Sequence, residues 1–147
     1  MIRPYEQHDE EALLDVWDKA SVIAHSFLPE TFFAEERRLI TEVYLPQSET
    51  WVAEMDGRLV GFMSLVGQEL GGLFVDPDVQ RRGIGRSLVA KAQEQQSNLE
   101  LGVFEENADA RHFYARCGFV EVGTTVEEAS GHVEVRMRWA PFDPSTV

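Results

Sequence analysis

Cysteine is almost missing from this sequence, since Cys117 is the only one among 147 residues. A single cysteine excludes an internal disulfide and a metal site built from several thiolates. No long uninterrupted apolar run occurs, so we expect no transmembrane helix. The first residues also lack the basic and then apolar pattern of a secretory signal. These absences predict a soluble protein of the cytoplasm that does not act in a membrane.

Positive charge is scarce as well: 13 Lys and Arg residues stand against 26 Asp and Glu residues, for a formal net charge of −13. Nucleic-acid binding needs a basic face, so the composition argues against a nucleic-acid partner. The acidity would attract a cationic partner such as an amine, although it serves solubility equally well. The histidines lack the spacing of metal ligands, and we expect no metal.

The length of 147 residues and a hydrophobic content of 44% fit one compact domain over residues 1–147, as a monomer or a homodimer. Periodicity and turn signals predict the element order β-α-α-β-β-β-α-β-α-β-β. The second helix is predicted from about residue 31 to 44, because Pro46 stops it. We therefore expect an α/β (α+β) fold, in which helices cover both faces of a mixed, mostly antiparallel sheet of about seven strands.

The segment from Val75 to Ser87 carries the strongest functional signal, because it reads as a strand end, a turn, a Gly-rich loop and a helix start. A helix start presents unpaired N–H groups and the positive end of the helix dipole. Gly83 and Gly85 have no side chain, so a ligand can approach these N–H groups closely. Three arginines add positive charge: Arg81, Arg82 and Arg86. The sequence therefore predicts a cradle for a diphosphate.

Two further patterns flank this segment. Gly71 and Gly72 interrupt the preceding strand and predict a bulge or a close approach by a ligand. Asn107 is placed to cap a later helix. The inner face of that helix carries Ala110, Phe113, Tyr114 and Cys117.

Neither of the two familiar nucleotide motifs is present. The hexapeptide Gly83-Ile84-Gly85-Arg86-Ser87-Leu88 lacks the third glycine of a dinucleotide-binding fingerprint, and no P-loop Lys-Ser/Thr pair follows it. The spacing Gln80-x-x-Gly83-x-Gly85 instead resembles the acyl-CoA diphosphate motif of the GNAT superfamily of N-acetyltransferases. Further along, Asn107-x-x-Ala110-x-x-Phe113-Tyr114-x-x-Cys117-Gly118-Phe119 resembles the second signature of that family.

The resemblance covers essentially the whole chain. Within the family, Trp17, His25-Ser26-Phe27-Leu28, Trp51-Val52-Ala53, Gly61-Phe62-Met63 and the stretch 73–79 look like a bacterial subgroup of peptidyl-lysine N-acetyltransferases. The resemblance implies an acyltransferase that moves an acetyl group from acetyl-CoA to a primary amine by direct attack in a ternary complex. The loop and the resemblance together predict these cofactor contacts: Phe74, Val75, Gln80, Arg81, Arg82, Gly83, Ile84, Gly85, Arg86, Ser87, Asn107, Ala110 and Phe113.

Tyr114 is the predicted proton donor to the departing CoA sulfur, a role that the resemblance assigns. A thiol has a pKa of about 8.5 and tyrosine one of about 10, so full proton transfer would run uphill. Tyr114 therefore needs a lowered pKa, or it acts mainly as a hydrogen-bond donor to the sulfur. A backbone N–H near Val75, freed from sheet pairing by the expected bulge, would stabilise the oxyanion.

The group that accepts the proton of the amine has two side-chain candidates, His25 and Glu69, beside a water chain. His25 is expected near the end of the first long helix, close to Phe27. Glu69 is expected on the same strand face as Gly71 and Leu73. Many relatives carry a glutamate nearer the bulge, where this chain has Gly71 and Gly72, and this departure argues against a carboxylate acting directly as the base.

The acceptor is predicted less sharply than the donor. A protein lysine, a polyamine, an amino acid and an aminoglycoside are all amines that fit the chemistry. Trp17, Phe27, Tyr44 and Trp51 are candidate lining residues, although Trp17 and Trp51 fit an ordinary core equally well. A non-catalytic acyl-CoA sensor is the alternative of another class, and Tyr114 argues against it because binding alone does not require its hydroxyl.

Overall fold

The structure is a computed structural model, which describes residues 1–80 and 82–141, so that the predicted contact Arg81 lies outside the described residues. The strands are β1 (Ile2–Pro4), β2 (Glu49–Met55), β3 (Arg58–Val66), β4 (Glu69–Val75), β5 (Leu99–Phe104), β6 (Val120–Val126) and β7 (Val133–Trp139). The four main helices are α1 (Glu10–Ala24), α2 (Glu30–Leu39), α3 (Ile84–Gln95) and α4 (Ala108–Arg116). The predicted element order is confirmed.

The strands of the described residues form one sheet of order β1-β2-β3-β4-β5-β7-β6. Neighbouring strands pair antiparallel, except that β4 and β5 are parallel. The parallel pair follows from the crossover through α3, since parallel strands need a long connection. The prediction of a mixed, mostly antiparallel sheet of seven strands is confirmed.

The second helix continues differently from the prediction. After α2 the chain forms a π-helical segment, Ile40–Tyr44, and a short helical turn, Leu45–Gln47. Pro46 lies inside that turn instead of ending the helix before it. Proline is accepted at a first helical turn because its missing N–H would have no intrahelical partner there.

Helices cover opposite faces of the sheet. A Cβ atom added to Gly61 of β3 would lie 3.3 Å from side-chain atoms of Ile84 and Leu88, so this residue faces α3. The next residue, Phe62, packs in a buried cluster with Leu13 and Trp17 of α1. Because successive strand residues point to opposite faces, α1 and α3 lie on opposite sides of the sheet. The prediction of helices on both faces is confirmed.

A bulge interrupts β4 at the paired glycines. Ser64 of β3 pairs with Gly72, but its neighbour Leu65 pairs with Leu70, so Gly71 is the extra residue. The predicted bulge is therefore confirmed.

The bulge decides the face on which Glu69 lies. One inserted residue reverses the alternation of side chains beyond it. Glu69 therefore shares its face with Gly72 and Phe74, whereas Leu73 lies on the other face. The expectation that Glu69 and Leu73 share a face is wrong, because it treated the strand as regular.

Within residues 1–80 and 82–141, no helix has the length and hydropathy needed to cross a bilayer.

Ser21 of α1 gives a test of the packing. Its Oγ atom is buried and has no hydrogen-bond partner among the described residues. A buried hydroxyl without a partner costs about 1–3 kcal/mol. We therefore expect Ser21→Ala to raise the free energy of unfolding by about 1 kcal/mol, measured by urea denaturation.

A hydroxyl that does have a partner is the matched control. Thr50 is 7% exposed, and its Oγ1 lies 2.9 Å from Ser64 Oγ. Thr50→Ala leaves the Ser64 hydroxyl without this partner and is expected to lower the stability. A lower stability in Ser21→Ala would contradict the assignment of an unpartnered hydroxyl.

Candidate active site

A cavity of about 1320 Å³ opens where β4 and β5 separate. The ladder between these strands consists, among the described residues, of the pair Glu69↔Glu100, near the start of both. Beyond this pair the lining includes both strands and residues from both helix layers, such as His25 beside α1 and Tyr114 of α4. The cavity therefore passes through the sheet, from the α3 and α4 side to the α1 and α2 side.

The first turn of α3 contributes backbone N–H groups to one side of this cavity. Gly83 is the N-cap residue of α3 and has a φ of 79°, a left-handed conformation that favours glycine. Ser87 N donates to Gly83 O at 3.0 Å as the first bond of the helix. The N–H groups of Ile84, Gly85 and Arg86 precede that bond and have no intrahelical acceptor. They lie on residues that line the cavity, at the positive end of a 12-residue helix.

The two glycines of the predicted cradle differ in their surroundings, and only Gly83 has the open space predicted for both. Among the described residues, no atom outside the two chain neighbours lies within 4 Å of a Cβ added to Gly83, so its backbone is open. A Cβ at Gly85 would approach Phe113 Cζ to 3.2 Å, which is tighter than most packing contacts. Gly85 is therefore required for the close packing of α3 on α4, whereas the backbone at Gly83 is open to a ligand.

The predicted polar contacts of the loop fall into two groups. Gln80 and Arg86 line the cavity, and Arg86 Nη2 lies 3.5 Å from Arg116 O. Arg82 and Ser87 are exposed and stand outside the lining. Their side chains therefore face solvent and do not reach into the cavity.

In the described part of the chain, the edge of β4 that faces β5 is unpaired beyond Glu69. Asp76 N donates to Val60 O at 2.8 Å across the ladder between β3 and β4. Adjacent residues of an antiparallel strand direct their backbone groups to opposite sides, so Val75 directs its N–H toward β5. Its carbonyl lies 3.5 Å from Gln80 Nε2. The separation of the strands, and not the bulge as predicted, directs this N–H into the cavity.

Tyr114 is held by its helix and by two aromatic neighbours. Asn107 Oδ1 accepts a hydrogen bond from Ala110 N at 3.2 Å, which confirms the predicted cap of α4. The Tyr114 ring meets Phe113 and Phe119 edge to face, with centroid distances of 5.2 and 5.6 Å. All of these residues except Phe119 line the cavity. The cap and the ring contacts therefore fix the position of the phenol.

The phenol of Tyr114 stays protonated at neutral pH. Burial raises its pKa above the ordinary value, and the nearby Cys117 thiol adds to the shift. No hydrogen bond to the phenol oxygen is found within the described part of the chain. Tyr114 therefore offers a free O–H donor at the cavity and does not have the lowered pKa that was one of its two predicted options.

His25 lies on the other side of the cavity. It follows the last residue of α1, and its backbone N–H donates to Ser21 O at 2.9 Å. Its ring lies 5.2 Å from the Phe104 ring and 6.1 Å from the Phe27 ring, close to Phe27 as expected. Burial lowers the pKa of His25, so the imidazole is neutral at neutral pH and able to accept a proton.

Glu69, the other candidate base, is paired elsewhere. Its two carboxylate oxygens accept hydrogen bonds from the Arg136 guanidinium, each at 2.8 Å. Glu69 does not line the cavity, and a carboxylate held by both oxygens has little freedom to take a proton from a substrate.

Trp51 also lies outside the lining and packs under Lys91 Nζ, so its predicted place in an acceptor pocket is wrong.

The sequence predicted some of the lining residues and missed others. Four predicted candidates do line the cavity: Phe74, Trp17, Phe27 and Tyr44. Among the lining residues that sequence reasoning missed are Phe32, Glu36, Phe104 and Glu127. Only the periodicity of α2 links two of them, since Phe32 and Glu36 are one helical turn apart.

Comparison with known proteins agrees with this geometry. The profile of a protein family described as "Acetyltransferase (GNAT) domain" matches residues 46–121. The peptidyl-lysine N-acetyltransferase YiaC of Escherichia coli is 34% identical over 120 residues, which are 81% of this chain and 82% of YiaC. This chain belongs to the GNAT family of acetyltransferases. The resemblance predicted from its sequence is confirmed.

Solved GNAT structures share the whole architecture. The solution structure of YjaB from Escherichia coli superposes with a TM-score of 0.85 at 31% identity, over 97% of this chain and 98% of YjaB. The crystal structure of the PaiA N-acetyltransferase from Thermoplasma acidophilum in complex with coenzyme A gives a TM-score of 0.73 at 20% identity, covering 96% of this chain and 98% of that one. The first supports the subgroup, and the second shows the GNAT fold alone.

Proposed function

We propose that this GNAT protein transfers the acetyl group of acetyl-CoA to a primary amine, with a protein lysine as the acceptor. The observation that carries the proposal is the cavity through the sheet. The amides at the start of α3 and the Tyr114 phenol reach it from one side, and His25 reaches it from the other. Two substrates can therefore meet in it from opposite faces. The names of YiaC and YjaB as peptidyl-lysine N-acetyltransferases support the choice of acceptor.

The donor half of the cavity fits coenzyme A by its shape and charge. Backbone N–H groups at the start of α3 and the Arg86 guanidinium bind the diphosphate. The open edge of β4 at Val75 offers an N–H donor further inside the cavity. Acetyl-CoA, when bound there, supplies an activated acetyl thioester. PaiA, which shares the fold, was solved with coenzyme A.

Tyr114 acts as a hydrogen-bond donor to the sulfur that leaves. Its pKa is raised by burial, and a thiol has a pKa of only about 8.5. The phenol therefore stabilises the departing thiolate without first losing its own proton. An alternative role in packing alone would not need the hydroxyl.

His25 accepts the proton of the amine. A lysine-like amine has a pKa of about 10.4, so neutralising it at pH 7 costs about 4–5 kcal/mol. A neutral imidazole at the cavity receives that proton directly or through one water. Glu69 is the weaker candidate, because Arg136 holds both of its oxygens.

The pH profile of His25→Gln tests this assignment. In the wild type kcat/KM falls as the pH drops through the pKa of His25, which lies below the ordinary value, because the protonated ring cannot accept a proton. We expect His25→Gln to lower kcat/KM by about 100-fold and to remove this inflection. Steady-state rates from pH 5 to 9 measure both effects. An inflection that survives in the variant, or a larger loss in Glu69→Gln, would assign the base elsewhere.

A thiol-release assay over an amine panel tests the function as a whole. The wild type with acetyl-CoA is expected to release free thiol in the presence of a lysine peptide, and mass spectrometry should find one acetyl group on the lysine. A protein that binds acetyl-CoA with no amine-dependent release would be an acyl-CoA sensor. Faster turnover of a polyamine, an amino acid or an aminoglycoside would make a small amine the acceptor.

Three further expectations stay predictions: a single domain, a cytoplasmic location, and a monomeric or homodimeric state.

A further inference from the structure

Three phenylalanine rings from separate elements meet on the α1 and α2 side of the cavity. Phe27 follows α1, Phe32 lies on α2 and Phe104 ends β5. The Phe104 ring lies 5.6 Å from Phe27 and 6.4 Å from Phe32 between centroids. Each residue is half-buried and lines the cavity. Large rings that stay partly open on a concave surface are typical of a binding site for an apolar group.

This group of rings, Phe27, Phe32 and Phe104, is called the aromatic wall below. It stands next to the proposed base, since His25 lies 5.2 Å from Phe104 and 6.1 Å from Phe27 between ring centroids. An amine whose nitrogen reaches His25 therefore places its neighbouring carbon atoms against these rings.

Two carboxylates accompany the aromatic wall in the cavity lining. Glu36 is one helical turn beyond Phe32 on α2, and no ion pair with it is found within the described residues. Glu127 N donates to His132 O at 2.9 Å, and the His132 ring lies 5.2 Å from Phe27. Glu36 and Glu127 both line the cavity. Burial, and then the charge of Glu127, raises the pKa of Glu36.

We propose that the aromatic wall binds the alkyl stem of the acceptor and selects unbranched primary alkylamines, such as a lysine side chain. The inference rests on the proposed function and names the substrate class of that site. Each methylene buried against the rings favours binding by about fourfold. The carboxylates attract the cationic end of the approaching amine, and aromatic faces also attract cations.

The same surface disfavours two of the competing amines, the aminoglycoside and the amino acid. The hydroxyl groups of an aminoglycoside would lose water against phenylalanine rings without gaining hydrogen bonds. An amino acid would bring its own carboxylate toward Glu36 and Glu127. The aromatic wall therefore determines specificity in two ways. It contacts the alkyl chain of the preferred amine, and it offers no hydrogen bonds to the polar groups of other amines.

A series of n-alkylamines from ethylamine to hexylamine tests the aromatic wall. In the wild type, kcat/KM for acetyl transfer is expected to rise by about fourfold for each methylene. In Phe27→Ala the rise is expected to fall below about twofold, with ethylamine the least affected substrate. Phe27→Leu restores most of the dependence on length because it restores apolar surface. Calorimetry of hexylamine binding in the presence of coenzyme A should show the same order of affinities.

Controls separate the aromatic wall from the fold and from the function. Val120 on β6 is 61% exposed and lies outside the cavity lining, so Val120→Ala should keep the full dependence on length. An unchanged affinity for acetyl-CoA shows that Phe27→Ala is folded. No acetylation of any amine by the wild type would overturn the proposed function itself. Activity without dependence on length, or the same dependence in Phe27→Ala, would overturn the aromatic wall alone.

Discussion

Tyr114→Phe is expected to lower kcat by about 100- to 10,000-fold, the usual size of a lost acid–base contribution. The affinity for acetyl-CoA should change little, because the phenyl ring keeps its contacts with Phe113 and Phe119. The raised pKa of the phenol makes the O–H a donor whose removal affects only the step in which the thiolate leaves. Single-turnover rates with a lysine peptide, and calorimetry with acetyl-CoA, measure the two quantities separately.

A matched control removes a hydroxyl elsewhere. Tyr5 packs against the α1 side of the core, away from the cavity lining, and burial raises the pKa of its phenol too. Tyr5→Phe should leave kcat unchanged. If Tyr114→Phe turns over at the wild-type rate, Tyr114 has no part in the mechanism, whatever the binding data show.

Gly83→Val is expected to weaken acetyl-CoA binding by at least about 100-fold, since hydrogen bonds to a charged group contribute about 1.5–3 kcal/mol each and the substitution misdirects more than one N–H. A β-branched residue cannot adopt a φ of 79° without strain. The chain must therefore turn differently at the start of α3, and the amides of Ile84 and Gly85 move with it. Calorimetric titration with acetyl-CoA gives the dissociation constant.

Gly57 provides a control of the same strain at another place. It has a φ of 78° in the turn between β2 and β3, and apart from its two chain neighbours no atom of the described residues lies within 4 Å of an added Cβ. Gly57→Val should lower the stability as much as Gly83→Val does, while the affinity for acetyl-CoA stays at the wild-type level. A folded Gly83→Val with normal affinity would remove the cradle from the proposal.

Local features of the site were predictable because short-range chemistry determines them. Gly83 was predictable because the residue before α3 has a left-handed φ, which favours glycine. Asn107 was predictable because the N–H groups in the first turn of α4 need an acceptor, which its side chain supplies. The bulge at Gly71 follows in the same way from a glycine pair inside a strand. Each of these depends on neighbours within a few residues, which the sequence displays directly.

Placements that depend on several elements were not predictable. The bulge was expected, but its effect on Glu69 was not, since the pairing with β3 decides which glycine is the extra residue. The ion pair between Glu69 and Arg136 joins residues 67 positions apart. Phe104 gave no signal in the sequence, and it became a candidate only because the end of β5 reaches Phe27 and His25.

The sequence by itself determined the order of the elements, the turn that exposes the amides at the start of α3, and the family to which the chain belongs. Apolar periodicity, capping and glycine conformation are local properties, and they survive in a sequence read without coordinates. Only the tertiary structure decided where the proposed acceptor side lies. That side exists because β4 and β5 part beyond Glu69↔Glu100, and the parting of two strands depends on what packs on both faces of the sheet at once.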